Sequence, residues 1–127
     1  MLTIASTIAA QVQHASHRKP RDYEEAIELI LRRLTPHQVV EIRNSPSEIY
    51  KRHVPEFVEG HWLKDSDDLY RQFKRDGIHD RMLMSTVIMR WIQMRIAGEK
   101  IDFPMELEHL KKKQAELDLV LQNPPKE

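Results

Sequence analysis

The sequence predicts an all-α protein: a compact single-domain bundle of six or seven helices, several of them short, around a central methionine-rich helix. Three observations predict this class. Apolar residues recur every three or four positions in several segments, and the apolar/polar alternation of a strand is never sustained. Only 3 glycines are present, which leaves little material for tight hairpins. A chain of 127 residues is long enough for one domain with a modest core.

The chain divides into three parts. Residues 1–21 are an arm or a weak helix, in which Ile4, Ile8 and Val12 are four positions apart. Residues 22–102 form the helical core domain. Residues 103–127 form a C-terminal helix and a tail, whose two prolines cannot continue that helix.

Capping residues mark the helix starts of the core domain. Asp22, with Glu25 three residues later, predicts the first helix. The segments Thr35-Pro36 and Ser45-Pro46 each place a hydroxyl cap before a proline at the first helical position, and each predicts a short helix.

The segment after residue 54 contains weaker signals for the start of a helix. We expect Pro55 to start a further short helix. Asp65 or Ser66 is expected to cap the helix after it, and Gly77 is expected to end that helix.

The central helix begins after an Asp80 cap, ends at Gly98 and is apolar on two faces. One face carries a wide apolar stripe, and the other carries Met82, Met89 and Ile96, seven residues apart. Such a helix is either surrounded by its own domain or shares one face with a partner. We favour the first interpretation and retain the second, because methionine side chains suit adaptable binding surfaces.

The C-terminal helix raises the same question. Leu107, Leu110, Leu117 and Leu121 follow heptad spacing, with Gln114 in the remaining position. This seam is expected to pack on the domain, and the alternative is a partner helix. The candidate partner-binding residues are therefore Met82, Met89, Ile96, Leu107, Leu110 and Leu117.

Several short segments between residues 22 and 102 resemble those of a known protein family. They are Leu34-Thr35-Pro36, Ile42, Gly60, Trp62-Leu63-Lys64, Leu69, Phe73, Gly77-Ile78-His79, Met84-Ser85, Ile88 and Gly98-Glu99-Lys100-Ile101. Their order is similar to that in a small family of uncharacterised bacterial all-helical domains. That family usually has further tryptophans where Lys64-Asp65-Ser66 stands here. The resemblance implies a helical fold unit and transfers no chemistry, because the family has no assigned activity.

No catalytic motif occurs: the chain has no G-x-S-x-G, no P-loop and no cysteine, so we expect no enzymatic activity. The best candidate for a polar pocket combines His79 and Asp80 with His61 and Trp62, because a histidine held by a carboxylate can act as a base near neutral pH. We prefer a structural interpretation, in which Asp80 caps a helix and His79 packs in the turn.

Histidines at helical spacing suggest metal sites. The pairs are His14 with His17, His37 with Glu41, and Glu106 with His109. Each pair lacks further ligands, and surface histidines explain all of them. We therefore expect neither a metal nor another cofactor.

Residues 35–53 have roughly the length of a helix-turn-helix, with Lys51, Arg52 and His53 available to a DNA groove. Against DNA binding, the second helix is predicted to be short, and the 20 basic and 20 acidic residues cancel. No apolar run is long enough to span a membrane, and no secretory signal is recognisable, so a cytoplasmic location is expected.

We therefore expect a non-enzymatic protein-binding module whose partner is another protein or a second copy. One concrete form is a bacterial inhibitor of the immunity or antitoxin type, which blocks its partner by surface complementarity. In that form, two acidic clusters are candidates for phosphate mimicry. They consist of Glu24, Glu25 and Glu28, and of Asp65, Asp67 and Asp68. The alternative function is a helix-turn-helix-like DNA-binding regulator using residues 35–53.

Overall fold

The computed structural model describes residues 19–44 and 48–122 (the backbone alone for 48–50), and these residues form six α-helices. The helices are α1 Tyr23–Leu31, α2 Pro36–Asn44, α3 Glu48–Trp62, α4 Asp68–Arg75, α5 Arg81–Ile96 and α6 Phe103–Gln122. Neither described range contains a β-strand. The predicted all-α single-domain fold is confirmed. The predicted arm before residue 19, the Ser45-Pro46 helix start and the tail after residue 122 lie outside the described residues.

The first two helices begin at the predicted capping residues. The carboxylate of Asp22 accepts the backbone N–H of Glu25 at 2.8 Å. At α2 the cap is reciprocal: the N–H of Gln38 donates to the Thr35 hydroxyl at 3.2 Å, and the N–H of Thr35 donates to Gln38 Oε1 at 2.8 Å. These bonds satisfy N–H groups that have no acceptor inside the helix.

The third helix, α3, continues through Pro55, so the prediction that Pro55 starts a separate helix is wrong. The reason is tertiary packing. Val54, Phe57, Val58 and Trp62 lie along one side of α3 and are buried, and α3 packs more extensively on α5 than any other described helix does. This contact offsets the roughly 3 kcal/mol that an interior proline costs.

The fourth helix, α4, begins after Asp67 and not after Asp65 or Ser66, which corrects the predicted cap. The buried carboxylate of Asp67 makes no capping bond to α4. It accepts the backbone N–H of Lys64 at 2.9 Å and the ammonium group of Lys19 at 2.9 Å. Asp67 thereby connects the segment before α1 to the loop before α4.

Two glycines end α4 and α5, as predicted. Gly77 and Gly98 have φ angles of 90° and 78°, a left-handed conformation that favours glycine. The chain then closes each helix with a hydrogen bond to its last turn, from Ile78 N–H to the Phe73 carbonyl and from Glu99 N–H to the Met94 carbonyl, both at 2.9 Å. This is the arrangement of a Schellman motif.

The central position of α5 explains why it is apolar on two faces. It packs against α1, α2, α3 and α6, and its buried side chains come from both predicted stripes. Trp91 is fully buried and contacts three other rings at centroid distances of 4.9–6.2 Å. These rings belong to Tyr23, Phe73 and Phe103. Met89 and Ile96 of the second stripe are buried in the domain, as the preferred interpretation expects, whereas Met82 is 60% exposed.

Candidate partner-binding surface

The last two helices form an antiparallel pair whose register carries the end of α6 past the start of α5. Near the start of α6, Glu106 accepts a hydrogen bond from Arg90 at 2.8 Å. Two turns later, Gln114 accepts the N–H of Asp80, the residue before α5, at 3.2 Å. Residues 115–122 therefore extend beyond the start of α5 by about 12 Å, at 1.5 Å per residue.

Gln114 fixes this register through both ends of its side-chain amide. Its oxygen accepts the backbone N–H groups of His79 at 2.7 Å and Asp80 at 3.2 Å. Its nitrogen donates to the carbonyl of Gly77 at 2.9 Å. The buried amide thus binds the whole turn between α4 and α5, and the heptad pattern alone does not predict this role.

Residues 115–122 are named here the terminal segment of α6, and they expose an apolar face. Leu117 is 37% exposed and Leu121 is 77% exposed. With Val120, which is also exposed, they occupy positions i, i+3 and i+4 on one side of the helix. Leu119 is exposed on the opposite side. Among the described residues, this is the largest concentration of exposed aliphatic side chains on one helix.

The predicted partner-binding residues are divided between the core and the surface. Most of them pack inside the domain, namely Met89, Ile96, Leu107 and Leu110. Met82 and Leu117 remain accessible, and Met82 is 60% exposed in the first turn of α5. Of the predicted partner-binding set, these two side chains alone are available to another molecule in this structure.

The partner-binding residues predicted from the sequence do not include Val120 and Leu121, two residues of the exposed face. The sequence places Leu121 only in the heptad seam, and Val120 lies outside the a and d positions of that seam. The available signal was the run from Leu117 to Leu121, in which Asp118 is the only polar residue. Such a run beyond the last seam contact indicates an exposed apolar helix end.

The four residues of the predicted polar pocket have separate local contacts. The ring of His61 stacks on Phe57 at 4.5 Å, and its Nδ1 lies 3.0 Å from the Phe57 carbonyl oxygen. Trp62 is buried, and its ring packs edge-on against Phe57. His61 and Trp62 thus pack with the end of α3.

The other two pocket residues belong to the turn before α5. Asp80 caps α5 by accepting the N–H of Leu83 at 3.0 Å, as the structural interpretation expects. The ring of His79 is exposed and does not pack in the turn, which corrects that part of the interpretation; its Nε2 lies 3.1 Å from a carboxylate oxygen of Asp118, in the terminal segment of α6. His79 therefore contacts the base of the exposed apolar face.

The two acidic clusters are largely neutralised by cations of the same chain. The ion pairs are Glu24–Arg95, Glu25–Arg21, Glu28–Arg32, Asp65–Arg81 and Asp67–Lys19, with N···O distances of 2.5–3.5 Å. A phosphate mimic needs uncompensated negative charge toward its target. These pairs make both clusters weaker candidates for that role than the sequence suggests.

The second helix of the proposed helix-turn-helix is longer than expected. α3 has 15 residues, so the objection that it is too short is wrong. Lys51, Arg52 and His53 are exposed on it, and His53 lies 3.2 Å from the carboxylate of Glu56. Residues 45–47, where the sequence predicts the turn, lie outside the described residues.

Two shallow depressions carry side chains of both charge signs. One lies between α3, the following loop and Arg81. The other, of about 430 Å³, is lined by Asp76, Lys111 and their neighbours.

Asp76 accepts the phenolic O–H of Tyr23 at 2.5 Å. Burial, together with this carboxylate, raises the pKa of Tyr23 above its ordinary value, so the phenol stays neutral.

The described residues contain neither a cluster of metal-binding side chains nor a helix that could span a membrane. Within residues 19–44 and 48–122, no group of three or more His, Asp or Glu side chains has the arrangement of a metal site. His37 instead pairs with Glu41 at 2.8 Å. In the same ranges, no helix has the length and apolar character needed to cross a membrane.

Comparisons with protein-family models, with curated proteins and with solved structures found no match for this chain. The resemblance to an uncharacterised bacterial helical family therefore stays a prediction. Among the described residues, the terminal segment of α6 is the most distinctive surface that the fold leaves open.

Proposed function

We propose that this chain is a cytoplasmic, non-enzymatic protein-binding module, and that the terminal segment of α6 binds an amphipathic helix of its partner. The observation that supports this is the exposed face of Leu117, Val120 and Leu121 on a helix end that extends past its own domain. A partner helix with apolar residues at the same spacing would bury this face, as in other helix-on-helix recognition.

A bacterial inhibitor of the immunity or antitoxin type is the concrete form of this function. Such a protein needs a stable surface complementary to its target and no reacting group. The support is the base of the terminal segment, which the hydrogen bonds of Gln114 and the His79–Asp118 contact join to the turn between α4 and α5.

The test is a quantitative capture experiment with a matched pair of variants. Leu121→Glu places a charge on the apolar face, whereas Leu119→Glu places the same charge on the opposite side of the same turn. We expect the wild type and Leu119→Glu to retain the same partner protein, and Leu121→Glu to lose it. Equal retention by all three proteins, or no specific retention by the wild type, would contradict the proposal.

A DNA-binding regulator is the second candidate function. It is supported by the exposed Lys51, Arg52 and His53 on a helix of 15 residues. Such a regulator would be retained on DNA or heparin in a salt-dependent way. Replacing Lys51 and Arg52 with glutamate would abolish that retention, while variants of Leu121 would leave it unchanged.

A further inference from the structure

The larger of the two depressions lies beside the C-terminal part of α3. Its volume is about 860 Å³, which is within the range of roughly 300–1,000 Å³ that is typical of ligand sites. α3 contributes Glu56, Glu59 and Gly60, and the loop after α3 contributes most of the remaining lining residues, together with Arg81 of α5. The residues that line it do not include any from α6. This depression is therefore a different surface from the terminal segment of α6.

Gly60 is a residue that the fold itself does not require. It lies inside α3, where glycine is less favourable than alanine because it loses more conformational freedom on folding. Its φ angle is not positive, and a Cβ atom added to it would meet no atom within 4 Å. What this glycine supplies is bare backbone on the wall of the depression, and bare backbone permits the close approach of another main chain.

The α3 side of the depression carries an excess of negative charge. The charged residues that line it are the cations Lys64 and Arg81 and the carboxylates Glu56, Glu59 and Asp65. Arg81 donates to the carboxylate of Asp65, which leaves the two glutamates opposed by Lys64 alone. These glutamates are exposed and three positions apart, so they are neighbours on one face of α3. A cationic occupant complements them.

The donor set favours an organic cation over a metal ion. Within the described ranges, no group of three or more His, Asp or Glu side chains could hold a metal ion, and this includes the pair of Glu56 and Glu59. A guanidinium group suits two neighbouring carboxylates, because its planar fork of donors is more weakly hydrated than an ammonium group. The Glu59 carboxylate is available for such a pair, since it has no ion-pair partner in residues 19–44 and 48–122.

We propose that this depression binds an arginine-bearing segment of a partner protein, with the guanidinium group at Glu56 and Glu59 and the peptide main chain against Gly60. The side of the depression formed by Arg81 is held in place by the Leu63 carbonyl at 2.9 Å and by the ring of Tyr70, whose centroid lies 4.4 Å from the guanidinium carbon. The proposal goes beyond the proposed function and stands whether or not the terminal segment of α6 binds a partner.

Nuclear magnetic resonance titration of the full chain tests the proposal with two peptides blocked at both ends. The probe is Gly-Arg-Gly, and the control is Gly-Gln-Gly, which has the same main chain and no charge. We expect the arginine peptide to cause saturable shifts of the backbone amides of residues 59–64 and to bind about tenfold more tightly than the control, because charge-assisted hydrogen bonds are the stronger ones. No saturable shift, or equal affinity for both peptides, would overturn the proposal.

A matched pair of variants tests the role of the carboxylates. Glu59→Gln should weaken binding of the arginine peptide about fivefold, as expected for one accessible ion pair. Glu116→Gln removes the same charge from an exposed position of α6 and should leave the affinity unchanged. Equal weakening in the two variants would show that the peptide responds only to net charge, which contradicts binding in the depression.

Gly60→Ala separates a contact with the peptide from a role in the helix. Alanine should raise the thermal midpoint, because it favours helix and its methyl group has open space. The same methyl group should weaken peptide binding about tenfold by obstructing the main chain. Unchanged affinity, or weaker binding together with a lower thermal midpoint, would overturn the proposed approach to Gly60.

Leu121→Glu distinguishes this proposal from the proposed function. The residues that line the depression come from α3, the loop after it and α5, so this variant should bind the arginine peptide as tightly as the wild type does. A loss of peptide binding in Leu121→Glu would place the peptide on the terminal segment of α6 and overturn the assignment to the depression.

Discussion

The indole N–H of Trp91 donates to the carboxylate of Glu106 at 2.9 Å in the interior of the domain. The same carboxylate accepts a hydrogen bond from Arg90 at 2.8 Å, so its charge is compensated although the residue is buried. The bond from Arg90 lowers the pKa of Glu106, and the Trp91 bond adds to this, against the opposing effect of burial. This contact joins α5 to α6 beside the aromatic cluster.

Removing the Glu106 carboxylate should therefore destabilise the fold. Glu106→Ala leaves the Trp91 N–H buried without an acceptor, and we expect the free energy of unfolding to fall by about 2–4 kcal/mol. Urea denaturation measures this. Glu108→Ala removes an exposed glutamate from the same helix and should cost no more than about 0.5 kcal/mol. Equal losses in the two variants would show that the Trp91 contact has no energetic importance.

Glu106 should also make stability depend on pH in the acid range. Its folded pKa lies below the ordinary value of 4.5 that applies in the unfolded chain. The stabilisation is therefore complete above that pH and is lost as the pH falls through the folded pKa. Between about pH 6 and pH 3, the wild type should lose more stability than Glu106→Gln, which has no carboxylate to protonate. Parallel pH profiles of the two proteins would contradict this assignment.

Replacing Gln114 tests whether this residue matters for its hydrogen bonds to the turn before α5 or only for its position in the heptad seam. In a leucine seam, Gln114→Leu would stabilise the helix pair. In this structure it removes the acceptor for the N–H groups of His79 and Asp80 and the donor to Gly77, and we expect a loss of about 2–3 kcal/mol in the free energy of unfolding. An increase in stability, measured by urea denaturation, would support the seam instead.

The helix ends that were predicted correctly depend on local interactions. Asp22, Thr35 and Asp80 cap their helices through hydrogen bonds to groups three residues away, and Gly77 supplies a backbone angle that other residues avoid. Such signals lie within one turn of sequence. They can therefore be recognised before the fold is known.

The boundaries that were predicted incorrectly depend on contacts between distant segments. Pro55 resembles a helix start, but the packing of Val58 and its neighbours on α5 holds α3 together. Asp67 occupies the position before α4 in place of the predicted residues, and its side chain does not cap the helix but binds Lys19, 48 positions earlier. No local pattern contains this information.

The candidate surface was predictable only in part, for a similar reason. Heptad spacing places Leu110 and Leu117 on one face of α6. Which of them is buried depends on where the domain ends along that face, and the contact between Gln114 and Asp80 sets this position. The antiparallel register of two helices is a tertiary property, so heptad spacing alone does not locate the exposed end.

Pro55 offers a direct test of the continuous third helix. A proline in a helix interior removes one backbone hydrogen bond and crowds the preceding turn. Pro55→Ala should therefore raise the free energy of unfolding by about 1–3 kcal/mol and leave the helical content unchanged or slightly higher. Urea denaturation followed by circular dichroism measures both. A loss of stability would show that Pro55 starts a helix, where proline is favourable.

The two methionines of the second stripe of α5 test whether that face is core or interface. Met89 is 4% exposed, whereas Met82, seven residues earlier on the same side, is largely exposed. Met89→Ala creates a cavity and should cost about 2–5 kcal/mol, and Met82→Ala should change stability by less than about 0.5 kcal/mol. Urea denaturation gives both values, and solution mass across a dilution series shows whether either variant alters self-association. If Met89→Ala keeps full stability while dissociating an oligomer, the stripe is an interface between copies. If Met89→Ala alone loses much stability and the solution mass is unchanged, that face belongs to the core. The terminal segment of α6 then remains the surface on which to look for a partner.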